Sequence, residues 1–157
     1  MENLNAIGLD KEKSKALVVQ LGDLLSNYSI FYQNTRGYHW NIKGDNFFEL
    51  HVKFEELYND LILKIDDVAE RILTLGSDPE HKFSAYLDQS EIKEASNLND
   101  GKIAIADIIN CFKILLIKQR GIMDFAAEIG DEGTSALMSD YIREQEKLIW
   151  MYSAYLK

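Results

Sequence analysis

Residues 46–76 read NFFELHVKFEELYNDLILKIDDVAERILTLG. Phe47, Leu50, Phe54, Leu57, Leu61, Ile65, Val68, Ile72 and Leu75 recur at steps of three and four residues. That period lays one continuous apolar stripe along a long amphipathic helix. Asn46 followed three residues later by Glu49 fits a capping box at its start. Gly76 stands where a helix C-terminus favours a left-handed residue, and Pro79 follows shortly after.

The same periodicity extends to both sides of this helix. Upstream, Leu17, Leu21, Leu24, Tyr28, Phe31 and Thr35 place a first helix from about Asp10 to about Arg36, with Gly37 interrupting it. Downstream, Ile103, Ile105, Ile108, Ile109, Phe112, Leu115 and Leu116 mark a third helix over roughly Asn99 to Ile129. Gly130-Asp131-Glu132-Gly133 forms a turn. A fourth helix runs from about Thr134 to Tyr155, with Leu137, Tyr141, Leu148, Met151, Tyr152 and Tyr155 on its core side. Residues 77–98 form a polar connection, long for a compact domain. A short helix around Phe83–Asp88 and a crossover between opposite ends of a bundle account for its length. No stretch alternates with the period of a strand. The expectation is an all-α four-helix bundle with a long crossover between helices 2 and 3, one domain over residues 1–157 with 1–9 as a short extension.

Composition narrows the function classes. Hydrophobic residues make up 46% of the chain and charged residues 27%, which suits a packed core and not a disordered chain. The net charge of −9 repels phosphate backbones and suits cations. The opening MENLNAIGLDKEKSK has no apolar stretch behind a basic start, and no run approaches the roughly 18 apolar residues that cross a bilayer. A single cysteine, Cys111, gives no internal disulfide framework and is expected in the core. A cytoplasmic protein is expected.

The three histidines are His39, His51 and His81. His51 and Glu55 are four residues apart and share a helix face; Asp66 and Glu70 repeat the spacing further along. Imidazole with carboxylates and no thiolate suits iron, manganese or zinc. The fifteen residues from His51 to Asp66 amount to roughly 22 Å of helix rise, against a metal–ligand bond of about 2 Å. The accumulated rotation, about 1,500°, leaves the two pairs only about 60° apart around the axis. They point to a similar side from opposite ends of one helix. Two copies packed antiparallel about a two-fold axis bring His51 and Glu55 of one against Asp66 and Glu70 of the other, and symmetry makes a second site. A di-iron site inside one bundle uses Glu-x-x-His pairs, and the sequence contains none. The residues alone also admit a plainer reading. A histidine beside an apolar stripe is commonly an ordinary core or surface residue, and Lys64 and Arg71 are at hand as ion-pair partners for the carboxylates.

YHWNIKG (38–44), NFF (46–48), LHVKFEELY (50–58), IDDVAERI (65–72) and the tail GDEGTSALMSDYIREQEKLIWMY (130–152) together resemble the Dps miniferritins, the DNA-binding proteins from starved cells. The likeness covers essentially the whole chain from about residue 10. It implies a ferritin-like fold and a dodecameric hollow shell. It also implies oxidation of Fe(II) at two-fold interfaces, with hydrogen peroxide as the favoured oxidant. Carried over by position, the iron ligands are His39, His51 and Glu55 from one subunit with Asp66 and Glu70 from its neighbour. The family often has Asp where Glu55 stands, and His39 is assigned by the family pattern alone. Trp40, next to His39, is implied as an electron donor when iron is scarce, with interface packing as its plain alternative. Asp131, Glu132 and Asp140 lie where the family places pore-lining acids, with an exposed turn and helix face as the alternative.

Members that condense DNA often carry a lysine-rich arm. Here residues 1–9 contain neither lysine nor arginine, and affinity for DNA requires several neutralised phosphates. DNA binding is therefore expected to be weak or absent. Three functions compete: an iron-oxidising storage protein, a DNA-condensing nucleoid protein, and a helical assembly protein with a vestigial metal site.

Overall fold

The computed structural model describes residues 2–157. Its helices are α1 (Lys11–Asn41), α2 (Phe47–Thr74), α3 (Phe83–Gln89), α4 (Gly101–Glu128) and α5 (Glu132–Leu156). The four long ones form the bundle. α1 and α2 pair as one hairpin, α4 and α5 as another, and α1 packs on α4 and α3. The core is built from the stripes read above: Leu17, Leu21, Leu24, Tyr28 and Phe31 of α1 meet Phe54, Leu61 and Val68 of α2 and Ile108, Phe112 and Leu115 of α4, all buried.

Helix ends follow local chemistry. Asp10, Asp100 and Asp131 cap α1, α4 and α5 by accepting from Lys13 N, Ile103 N and Thr134 N. α2 closes in a Schellman turn: Gly76, at φ +96°, donates to Leu73 O and Ser77 N to Ile72 O. α4 ends the same way at Gly130.

Four expectations change. Gly37 does not interrupt α1, which continues to Asn41. A helical glycine costs only about 1 kcal/mol against alanine, and the buried Thr35, Tyr38 and His39 around it hold the last turns in place. Asn46 is not a capping-box residue. It sits in the left-handed region at φ 64°, makes no side-chain cap, and donates to Tyr155 Oη at 3.0 Å. Ile103 and Met151 are exposed; Ile103 lies two positions before Ile105, on the opposite side of the α4 stripe. Asp131 is a buried cap ion-paired to Arg71, and neither an open turn nor a pore surface, whereas Glu132 and Asp140 are exposed.

The long crossover does carry a short helix, and two asparagines of α1 hold it down. Asn27 Oδ1 accepts from Ser90 Oγ, Glu91 N and Ile92 N. Two turns further along the same face, Asn34 donates to Lys93 O and accepts from Ala95 N. These buried amides satisfy backbone groups that a loop crossing a helix leaves open.

Candidate metal centre

α1 ends and α2 begins at the same end of the bundle, which brings His39 and His51 together. Their rings stack with centroids 3.7 Å apart and planes 13° from parallel. Each ring is fixed by the other residue's backbone: His39 Nδ1 lies 2.6 Å from His51 O and His51 Nδ1 2.8 Å from His39 O. A carbonyl only accepts, so each Nδ1 is the donor, and in the neutral ring Nε2 is the nitrogen with the free lone pair. Such a bond orients an imidazole and sets the tautomer that binds metal. His39 O is also one of the carbonyls left without an amide partner at a helix C-terminus, so the lock uses a group the fold leaves free. His39 is 7% exposed. The stack has an inert ring on one side, Phe47 at 5.1 Å from His51, and Tyr58 edge-on to His39 at 5.3 Å on the other. Glu55 is one turn beyond His51 and exposed.

Asp66 and Glu70 lie toward the far end of α2, exposed and adjacent. The hydrogen bond to Asp66, then the charge of Asp66, raises the pKa of Glu70 above the usual carboxylate value. The two cations named in the sequence as their partners are engaged elsewhere. Lys64 bonds Asp60 at 2.7 Å and Glu144 at 2.9 Å. Arg71 bonds Asp131 at 2.6 Å. Neither carboxylate of the 66/70 pair has a salt-bridge partner among the described residues.

A single chain thus unites His39 and His51 and separates them from Asp66 and Glu70. Among the described residues no three His, Cys, Asp or Glu side chains converge on one point fit for a metal. The bundle interior offers no substitute. Its polar centre is a closed ring of neutral groups: Tyr28 Oη donates to Gln119, Gln119 Nε2 to Gln145 Oε1 at 2.7 Å, and Gln145 Nε2 to Tyr28 Oη at 2.6 Å. Between the two ligand groups α2 presents Ile62 and Leu63 outward, Leu63 at 65% exposure, and Val52 is exposed beside His51. Beside that face, α1, α3 and residues 94–98 enclose a cleft of about 740 Å³ lined by Tyr32, Arg36, Trp40, Ile62, Phe83 and Leu98.

Of the remaining sequence candidates, Trp40 is 55% exposed beneath the Arg36 guanidinium at 4.8 Å. Cys111 is buried, its thiol pKa pushed up by burial and then by the charge of Asp107. His81 is exposed on the crossover. Tyr58 stands seven residues after His51 and so on the same face of α2.

Residues 18–157 match the family model described as a ferritin-like domain. The chain is 43% identical, over 97% of its own length and 96% of the other, to the DNA protection during starvation protein of Porphyromonas gingivalis. Its fold superposes on a Dps protein from Vibrio cholerae O1 with a TM-score of 0.97 at 59% identity, covering 99% and 98% of the two chains; that protein is described as a member of a broad superfamily of ferritin-like diiron-carboxylate proteins. A Dps protein from Bacillus brevis gives a TM-score of 0.90 at 33% identity, with 93% and 98% covered.

Proposed function

The chain belongs to the ferritin-like Dps family, and on that premise we propose that it oxidises Fe(II) at a site shared between two copies and stores the ferric product inside a hollow shell. The observation that carries this reading is the division of ligands on α2. Two imidazoles with free Nε2 atoms stand at one end and a carboxylate pair without a cation at the other, on similar sides of the helix. An antiparallel neighbour closes the gap, giving each site His39, His51 and Glu55 from one subunit and Asp66 and Glu70 from the other. The exposed Val52, beside His51, and Ile62 and Leu63, between the ligand groups, supply the apolar contact. Closed shells follow from repeating such two-fold contacts around further axes, and a dodecamer is the assembly expected.

Roles follow from ligand type. Asp66 and Glu70 attract the divalent cation and favour the trivalent product through their negative charge. His39 and His51 bind only when neutral, so acid weakens the site. Two Fe(II) ions give up one electron each, and hydrogen peroxide, the proposed oxidant, accepts both and leaves as two waters with two protons. Trp40 is an additional electron donor near the site. Removing free Fe(II) and peroxide together protects the cell from oxidative damage.

No helix of the described residues is long and apolar enough to cross a membrane, and a cytoplasmic location is proposed. DNA binding is weak or absent. Residues 2–10 fold back as a hook, with Asn5 Nδ2 donating to Leu75 O and Ser14 Oγ, and Asn5 Oδ1 accepting from Ile7 N and Leu9 N. This ordered, lysine-poor segment supplies few phosphate contacts. A gel shift at moderate salt is expected to show no tight, stoichiometric retardation; such retardation favours the nucleoid reading.

The iron reading is tested by adding Fe(II) anaerobically, then peroxide, and following ferric absorbance. His51→Ala slows the rise strongly if the assignment is right. An unchanged rate removes His51 from the site.

A further inference from the structure

We propose that Phe48 of each subunit packs against the partner subunit's Leu73 and closes the outer edge of the shared metal site, an inference that rests on the iron-oxidising reading above. Phe48 and Leu73 are 82% and 53% exposed, on a helix whose other face is the bundle core. The chain itself leaves both open to solvent. Phe48 stands seven residues before Glu55, and Leu73 seven after Asp66. Seven residues bring a helix back to within about 20° of its starting direction. Both apolar residues therefore lie on the face that carries the ligands.

The register between two antiparallel copies decides what they meet. From the level where His51 faces the partner subunit's Glu70, three residues outward lead to Phe48 on one helix and to Leu73 on the other. That level is only about 4.5 Å further along the axis. The ligands alone set this register, and the two apolar side chains coincide in it. Two-fold symmetry repeats the contact at the second site. Phe48 is also linked to the site within its own chain. Its ring is edge-on to Phe47 at 5.3 Å, and Phe47 stacks on His51 at 5.1 Å. The pair thus walls the imidazole end of the site against bulk water. Charges attract more strongly where the dielectric is low, so the wall strengthens the hold of Asp66 and Glu70 on the cation and slows its escape. Phe48 and Leu73 offer no ligand atoms and act as positioning residues.

The test is cysteine cross-linking of the assembled, metal-free protein in a Cys111→Ser background. Within one chain, positions 48 and 73 are separated by about 37 Å of helix rise, far beyond the Cα separation of about 4–7 Å that a disulfide spans. Phe48→Cys with Leu73→Cys is expected to give a disulfide-linked dimer on a denaturing gel after mild oxidation, and each single-cysteine variant a monomer. Glu55→Cys with Asp66→Cys reports the register at the ligands themselves. Dimer from the 55/66 pair and none from the 48/73 pair overturns the proposal and leaves the shared site standing. Dimer from neither overturns the shared-site reading, and this one with it. Transfer of bound Co(II) to excess chelator reads the seal without any cross-link, with assembly checked by size exclusion. Burying a phenylalanine or leucine side chain shifts an equilibrium by about ten- to a hundredfold, so Phe48→Ala is expected to speed Co(II) loss by about tenfold. Leu73→Ala does the same, and the two together add nothing further, because both remove one contact. An unchanged rate in either variant, or effects that multiply, overturns the proposal.

Discussion

Arg71→Leu is expected to loosen the end of α2 that carries Asp66 and Glu70. The guanidinium joins α2 to the α4–α5 turn: Nη2 lies 2.6 Å from Asp131 Oδ1, and Nε donates to Thr134 Oγ1 at 2.8 Å. The Asp131 side chain is 1% exposed and that of Arg71 19%. Removing one partner of a buried pair costs about 3–5 kcal/mol, because the other charge stays buried. Asp131 keeps its bonds from Thr134, and water reaches the Arg71 position, so the lower end, about 3 kcal/mol, applies. At about 2–4 °C per kcal/mol for a domain of this size, the melting temperature falls by about 6–12 °C. The measurement is thermal unfolding of the metal-free protein at fixed subunit concentration, since assembly makes the transition concentration-dependent. Gly133 sharpens it. A Cβ there would meet Arg71 Nη2 at 2.7 Å. Gly133→Ala therefore destabilises the wild type by displacing the guanidinium. In the Arg71→Leu background it stabilises instead, because alanine is the better helix former. A fall of less than about 1 kcal/mol in Arg71→Leu, or additive effects of the two substitutions, refutes this account of the clamp.

Tyr28→Phe opens the neutral ring in the bundle centre and leaves Gln119 Oε1 and Gln145 Nε2 without Tyr28, at about 1–3 kcal/mol for each group stranded; denaturant unfolding measures it. Glu70→Gln raises the melting temperature of the metal-free protein at neutral pH while weakening Co(II) binding. The folded-state pKa of Glu70 lies above its unfolded value, so its ionisation destabilises the fold as pH rises through that interval; the gain from Gln disappears once acid protonates Glu70 in both states. Cys111, buried with its thiol pKa raised, is expected to react with a thiol reagent only on unfolding; fast labelling of the native protein contradicts that.

The bundle was legible because its stripes are long and unbroken: each of the first-helix positions read as core, from Leu17 to Thr35, is fully buried. Errors gathered at helix ends, where one contact outweighs local preference. Gly37 reads as a break because glycine weakens a helix, yet the buried Tyr38 and His39 carry α1 past it. Asn46 has the side chain of a cap, but its left-handed backbone aims that side chain at Tyr155. In the candidate site, spacing revealed the pairs on α2 and their separation. The lock between His39 and His51 was not legible, since it depends on how two helix ends meet. Nor were the partners that Lys64 and Arg71 take from outside α2, Glu144 on α5 and Asp131 in the turn before it.

The most direct test of a shared site is complementation. One variant carries His39→Ala and His51→Ala, the other Asp66→Asn and Glu70→Gln, and the two are mixed in equal amounts, dissociated and reassembled. Each mixed two-fold pair holds one intact site and one lacking every substituted ligand. Random pairing then restores about a quarter of the wild-type sites, read as the initial rate of Fe(II) oxidation by peroxide, although each variant alone is inactive. A mixture as inactive as its components, with mixed pairs verified by native mass spectrometry, contradicts the shared site.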